Sequence, residues 1–321
     1  MMSFPLLEVN DISVEYEVDD RIIKAVNHVN LEIKRGDVVA IVGESGSGKS
    51  TLAMIFLNLI EKPGRIKSGK IIYHGPEGVV DVLRMRPVDF RRYRWKEVSI
   101  IFQSAMNSLN PVMRIEDQLR DVMIEHGIDE SELDARIDGK LKLVGLPTSV
   151  KKSYPHELSG GMKQRVNIAL ALACDPKLII ADEATTALDV VVQKQILTRL
   201  LKLKQDLSLS LIFITHDISL VANIAETINV MYAGKIVERA ETKELFEKPL
   251  HPYTQALLNS IPTLEKGAAI KGIKGTPPDL SKEIRGCSFA ERCPKMFDRC
   301  LAESPELKNI GENHFVSCHI Y

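Results

Sequence analysis

The residues Gly43-Glu44-Ser45-Gly46-Ser47-Gly48-Lys49-Ser50 fill the pattern G-x-x-x-x-G-K-S/T without a mismatch. An apolar run, Val38-Val39-Ala40-Ile41-Val42, leads into them, and a helical pattern over about residues 49–59 leads out. No other stretch constrains the fold as strongly. A strand, a glycine-rich turn and a helix in that order make a βα unit. The glycines leave backbone N–H groups bare enough to wrap a phosphate. Lys49 carries a point charge suited to β- and γ-phosphates, the Ser50 hydroxyl can ligate Mg²⁺, and Thr51 extends the same turn. A turn that merely happened to end in Lys-Ser would not need that strand and that helix around it.

The rest of the chain reads as α/β. Leu7, Val9, Ile12, Val14 and Tyr16 alternate in the manner of a strand, as do residues 24–33, which predicts an N-terminal antiparallel β subdomain. Residues 71–73 and 98–102 read as further strands. From 103 to 173 strand signals stop, and residues 116–126, 131–144 and 162–174 read as helices, a helical insertion over about 104–173. Strands at 178–181 and 211–215 flank a helix at 190–204, a βαβ arrangement, and 228–232 with 235–237 predicts a hairpin across Ala233-Gly234. After Pro249 the chain turns Pro-, Gly- and Lys-rich, and residues 267–278 read as a linker into a small cysteine-bearing tail.

Composition narrows the function. Lys and Arg total 42 against 43 Asp and Glu, a net charge of −1, which is not the basic surplus of a nucleic-acid binder. No apolar run reaches the ~18 residues of a membrane span, and the first ten residues lack the pattern of a signal peptide. The expectation is an intracellular protein of about two domains that reaches any membrane through a partner.

A second anion-binding surface is written at Leu158-Ser159-Gly160-Gly161-Met162-Lys163-Gln164-Arg165. Ser159, Gly160 and Gly161 leave bare N–H groups in front of a helix expected from Met162, and helix N-termini attract anions. A nucleotide held by the first surface could be touched by this second one from another copy. The apolar strand Leu178-Ile179-Ile180-Ala181 ends in Asp182-Glu183. Asp182 is suited to hold Mg²⁺ through water and Glu183 to polarise an attacking water, the alternative being an ordinary acidic loop. His216 and Gln103 both follow apolar strands, at the sheet edge where open α/β folds bind ligands. The Gln103 amide can contact Mg²⁺ or water, and Tyr16 can either stack on an adenine or pack in its sheet.

The ordered set Tyr16, Gly43 to Thr51, Gln103, Leu158 to Arg165, Leu178 to Glu183, Ala187-Leu188-Asp189 and His216 resembles the ATP-binding subunit of ATP-binding-cassette (ABC) transporters, over about residues 6–240. The resemblance implies a P-loop NTPase with a RecA-like core. It also implies A-loop, Walker A, Q-loop, signature, Walker B, D-loop and H-loop roles for those positions in turn. Lys49, Gln103, Glu183 and His216 would then serve catalysis. Tyr16, Gly43, Ser45, Gly46, Ser47, Gly48, Ser50, Thr51, Ser159, Gly160, Gly161, Gln164, Asp182 and Asp189 would contact ATP and its Mg²⁺. The dimer implied is head-to-tail, with ATP between the Walker A loop of one subunit and the signature of the other. Ala184 departs from the family, which usually has proline there; that changes loop stiffness but removes no reacting group.

Residues 102–111, Tyr154-Pro155-His156-Glu157 and His251-Pro252-Tyr253-Thr254-Gln255-Ala256-Leu257-Leu258 resemble, more narrowly, the D-type subunit of the dipeptide and oligopeptide importer branch, whose relatives also serve nickel and oligosaccharides. That branch implies a paralogous ATPase partner (or a second copy), two transmembrane permease subunits, an extracytoplasmic solute-binding protein met only indirectly, and a place on the cytoplasmic face of the membrane. A soluble ABC ATPase that acts elsewhere is the rival reading; such proteins usually join two cassettes or insert long coiled coils.

Cys287, Cys293, Cys300 and Cys318 are spaced C-x5-C-x6-C-x17-C, and the fifth cysteine, Cys174, stands apart. Four thiols so close in a chain without an export signal favour a metal site over disulfides. Zinc and a 4Fe–4S cluster both remain open on spacing alone. The context of residues 286–294 resembles the tail of oligopeptide-importer ATPases that bind such a cluster. Residues 241–321 are therefore expected to form a C-terminal extension with a four-cysteine site.

Overall fold

The alternating residues of the N-terminus form two long strands, β1 (Pro5–Val18) and β2 (Arg21–Lys34). The computed structural model describes residues 5–103, 108–185, 188–261 and 272–321. Ser104 to Asn107, Ala187 and the first part of the expected linker lie outside them. Asp19 and Asp20 turn β1 into β2 with φ of 46° and 59°, left-handed values that match the twist of a two-residue hairpin. Next come β3 (Val38–Val42), α1 (Lys49–Phe56), β4 (Gly64–Gly75) and β5 (Gly78–Asp81). One sheet has the order β2-β1-β4-β5, and β1 lies antiparallel to β4 with Tyr16 opposite Gly64.

The chain divides into two compact units, the first made of residues 1–33, 38–83 and 213–321, the second of residues 34–37 and 84–212. The second unit opens with α2 (Pro87–Lys96), which the sequence reading missed because its residues are mostly polar, and which breaks at Arg94 and Trp95. Then follow β6 (Val98–Ile101), α3 (Ile115–Glu125), α4 (Leu133–Leu143), α5 (Gly160–Ala171), β7 (Leu178–Asp182) and α6 (Val190–Leu207). Strands β6 and β7 pair in parallel, Val98 beside Leu178 and Ile101 beside Ala181. All of β7 is buried, as a strand covered on both faces requires. Within the stretch expected to be a helical insertion, Ile115, Leu119 and Met123 of α3 and Leu133, Ile137 and Leu141 of α4 are buried at helical spacing.

Strand β8 (Ser210–Thr215) leads back to the first unit, which continues with α7 (Ile218–Val221), β9 (Thr227–Tyr232) and β10 (Lys235–Glu241). The hairpin turn falls at Ala233 and Gly234 as predicted, with φ of 48° and 80°. Helices α8 (Thr242–Glu247), α9 (Pro252–Asn259) and α10 (Asp298–Ala302) and strands β11 (Lys308–Gly311) and β12 (His314–Val316) complete the chain. The last two strands change the picture of a small separate tail. Strand β12 pairs antiparallel with β10, so the first unit carries the strand order β11-β12-β10-β9-β3 and the C-terminus extends its main sheet. Beneath this junction Glu238, wholly buried, accepts hydrogen bonds from the N–H groups of Leu250 (2.7 Å) and His251 (2.9 Å) and pairs with His314 Nε2 (2.7 Å). Its burial is tolerable because its carboxylate is satisfied on both oxygens.

Candidate functional site

The phosphate loop is shaped by the strand before it. Strand β3 is buried at all five positions and pairs in parallel with β9, Val42 opposite Val230. That register carries Gly43 beside Met231, whose carbonyl oxygen would stand 2.1 Å from a Cβ at 43. Gly48 is excluded from substitution twice over. It has a φ of 100°, and its Cβ would meet the Ala25 carbonyl oxygen at 2.1 Å. The loop closes on itself with Ser47 N–H donating to Glu44 O at 3.2 Å, and Gly234 N–H donates to Ser47 O at 2.9 Å.

Lys49 is the first residue of α1 and is 4% exposed. Its ammonium donates to the carbonyl oxygens of Gly43 and Glu44, both at 2.8 Å, and reaches Ser47 Oγ at 3.4 Å. A buried cation folded back on its own loop is the arrangement expected where phosphate oxygens belong, so these residues fit a nucleotide's phosphates. Ser45, Gly46 and Ser50 are exposed and Thr51 is half-buried, which leaves the rim of the loop open to a ligand. Tyr16 is half-buried across Gly64, whose missing Cβ would lie 2.7 Å from its ring. His216 follows β8 and is exposed.

In the second unit, Asp182 closes β7 and is 3% exposed, and Glu183 follows with a φ of 46°. A left-handed glutamate is strained by about 1–3 kcal/mol and is held only where its surroundings fix it. Gln103, just past β6, donates from Nε2 to Glu183 Oε2 at 2.7 Å. The structure thus joins two residues that the sequence offered separately. Thr185, 3% exposed, accepts from Gln193 Nε2 of α6 at 3.0 Å.

The signature segment differs from expectation in one respect. The helix was expected from Met162, yet α5 starts at Gly160, so both glycines lie in its first turn and Ser159 is the N-cap, its Oγ accepting from Met162 N–H at 3.3 Å. Gly161 is needed for packing as well, since a Cβ there would meet Val192 Cγ1 at 3.0 Å. Gln164 is 1% exposed and turns inward, and its amide nitrogen has no partner among the described residues. Asp189 caps α6, accepting from Val192 N–H at 2.9 Å.

The four tail cysteines line one small cavity together with His251 and His319. None forms a disulfide. Burial pushes the Cys287 thiol up to about 11 and raises Cys293 and Cys318 as well. Among the described residues, no group of three or more His, Cys, Asp or Glu side chains closes around a single metal ion. A tetrahedral zinc at ~2.3 Å from each sulfur needs such closure. The described residues also include no helix long and apolar enough to cross a membrane.

Sequence reasoning missed two contacts of the phosphate loop. Tyr253 and Arg292 both bind Glu44, the latter from 248 residues away, and no local pattern carries a pairing of that length.

Fold and loop define a phosphate-loop nucleotide-binding protein. The ABC transporter family matches residues 26–186, and the family described as oligopeptide/dipeptide transporter, C-terminal region, matches residues 237–300. The chain is 42% identical to the dipeptide transport ATP-binding protein DppD of Caldanaerobacter subterraneus, over 98% of this chain and 97% of that one. It is also 42% identical to the oligopeptide transport ATP-binding protein OppD of Salmonella typhimurium, over 98% and 93%. Among solved structures it is similar to the ATP-binding cassette MJ0796, in a dimeric post-hydrolysis state bound to ADP and Pi, with a TM-score of 0.65 and 28% identity over 74% of this chain and 98% of that one. It is similar also to cbiO1 from Clostridium perfringens, part of the cbiONQ ABC transporter complex, with a TM-score of 0.64 and 31% identity over 76% and 91%. The chain belongs to the ABC transporter family, among the ATP-binding subunits of the dipeptide and oligopeptide importer branch.

Proposed function

We propose that this chain hydrolyses ATP to drive uptake of di- and oligopeptides through a membrane importer. The observation that carries the hydrolytic reading is the Gln103–Glu183 pair at the end of a buried strand. Glu183 takes a proton from water as its oxygen attacks the γ-phosphorus. The bond to the β-phosphate oxygen breaks, and ADP and phosphate leave. Lys49, Gly43 and the N–H groups of residues 45–51 hold the phosphates. Ser50, Asp182 and Gln103 would hold Mg²⁺, which when bound neutralises phosphate charge. Ser159, Gly160 and Gly161 serve the ATP of a partner subunit, whereas Gln164, expected there too, is buried beneath them and out of a partner's reach; His216 assists near the γ-phosphate, Tyr16 meets the adenine, and Asp189 joins the dimer contact. Residues 6–240 act as the ATPase and 241–321 as the extension particular to this branch.

The partners in this reading are a paralogous ATPase, two permeases and, through them, a solute-binding protein, with the chain on the cytoplasmic side. Peptides as cargo are supported by the match of residues 237–300 and by the names of the relatives. The four cysteines would hold a 4Fe–4S cluster, a larger group than one ion. The reading is supported by four undisulfided thiols on one cavity.

The test is co-purification with the permease partners, followed by ATPase assay in liposomes that contain the binding protein. Peptides should stimulate turnover. Stimulation by nickel or oligosaccharides instead would overturn the cargo, and basal rates without any coupling would overturn the importer. Iron and sulfide analysis of anaerobically purified protein should find about four of each per chain; zinc, or no metal, would remove the cluster.

A further inference from the structure

Glu44, the first variable residue of the phosphate loop, is held by the C-terminal extension at two points. Its backbone N–H donates to the Tyr253 hydroxyl at 2.8 Å. Its carboxylate receives both arms of the Arg292 guanidinium, Nη1 at 2.6 Å and Nη2 at 2.9 Å. The rest of Arg292 is equally occupied: Nη1 also donates to the Tyr232 hydroxyl at 3.1 Å and Nε to Lys274 O at 2.9 Å. The side chain of Arg292 is 4% exposed and that of Glu44 27%, so this is a part-buried fork-to-fork pair. Behind it stands an aromatic wall. The rings of Tyr232 and Tyr253 lie 4.6 Å apart, that of Phe289 lies 5.3 Å and 5.4 Å from them, and the guanidinium is 5.7 Å from Tyr232 and 5.8 Å from Phe289.

Within the loop Glu44 O is held by Ser47 N–H and by the Lys49 ammonium, which takes the carbonyl oxygens of residues 43 and 44. Phosphates entering the loop compete for that ammonium, so nucleotide binding must alter the hold on Glu44's backbone. The two holds from outside the loop belong to the extension, and Arg292 is bonded directly to Cys293. A two-point grip on a residue that changes partners when ligand arrives links the two regions in free energy, and such linkage runs both ways.

We propose that Arg292, with Tyr253, is a positioning residue of the phosphate loop, through which the cysteine-bearing extension sets nucleotide affinity and in turn senses nucleotide occupancy. This rests on the reading of residues 43–51 as the nucleotide site.

Two measurements on the full chain test it. In steady-state ATPase assays, Arg292→Lys keeps the charge but loses the fork. It should raise the KM for MgATP about five- to tenfold with little change in kcat, the lower end of what coupled sites give. Glu44→Gln should do the same, and the double variant should be no worse than the worse single one, since both cut one link. An unchanged KM in folded variants, or effects that multiply, would overturn the proposal. The second measurement needs no variant: saturating MgATP should slow hydrogen exchange of the amides of residues 287–293 in the native protein. No response there, with MgATP bound, removes the link while leaving the nucleotide site intact. A native chain that fails to bind MgATP removes both.

Discussion

In the proposed function two loops at strand ends carry the chemistry, and they are held in different ways. The phosphate loop after β3 is fixed from many sides: Glu44 by Tyr253 and Arg292, Ser47 by Gly234, Gly43 and Gly48 by close backbone approach to Met231 and Ala25. The acidic loop after β7 meets its partners nearer the surface. Glu183 sits half-buried in a left-handed conformation, and the Gln103 amide that meets its carboxylate is itself exposed. Binding a triphosphate rewards a cradle built in advance, because no free energy is then spent ordering it. A general base must instead be free to accept a proton and to change partners in a cycle. The difference is what the proposed function asks for, affinity from one loop and turnover from the other.

The sharpest way to break that division is Glu183→Gln. The amide cannot take the proton, so hydrolysis should fall by about 10²–10⁴-fold. The phosphate loop is untouched, so MgATP affinity should stay within a few-fold, and the ATP-bound dimer should accumulate on gel filtration. Phosphate release near the native rate would show that the base is elsewhere.

The next effect is smaller and falls on the other loop. Gly48→Ala places a Cβ against the Ala25 carbonyl oxygen as well as in a left-handed backbone, while Gly46→Ala, with φ of 78° and nothing within 4 Å, meets only the backbone penalty. The first should cost about 2–3 kcal/mol of nucleotide affinity or stability, the second about 1 kcal/mol. Isothermal titration and thermal melts separate the two. Equal effects would mean that close approach does not shape the cradle.

Legibility from sequence follows the same line. The phosphate loop and the Asp182-Glu183 strand end were readable because each is a local pattern: an apolar run, then the reacting residues at fixed spacing. The hairpin at Ala233-Gly234 was readable for the same reason. Helix α5 was placed two residues late because glycine is a poor helix former, and only the cap by Ser159 and the nearness of Val192 explain why two glycines begin it. Strands β11 and β12 gave no signal, since Lys308–Gly311 is exposed at every position and lacks alternation. The buried Glu238–His314 pair looks like surface in one dimension. Least legible was the grip of Arg292 on Glu44, which exists only once the C-terminus has returned to the sheet.

That return also makes the phosphate loop sensitive to acid. His251 is 1% exposed, and its Nδ1 accepts from the N–H of Tyr253, at the start of the helix that presents the Tyr253 hydroxyl to Glu44. Burial pushes the imidazole down from 6.5 to about 3, because a charged ring would lose its water and its acceptor nitrogen. In the unfolded chain the ring takes a proton near its ordinary pKa. Between those values the unfolded state binds more protons than the folded one, so stability is full above the ordinary value and declines as the pH falls. Acidification from about pH 6.5 to about pH 5 should therefore cost about 1–2 kcal/mol, read as a lower melting temperature. Hydrogen exchange should rise in residues 251–259 before it rises at the end of β7. His251→Asn, which cannot gain the proton, should flatten the dependence; a variant that melts with the native pH profile would place the acid sensitivity in another group.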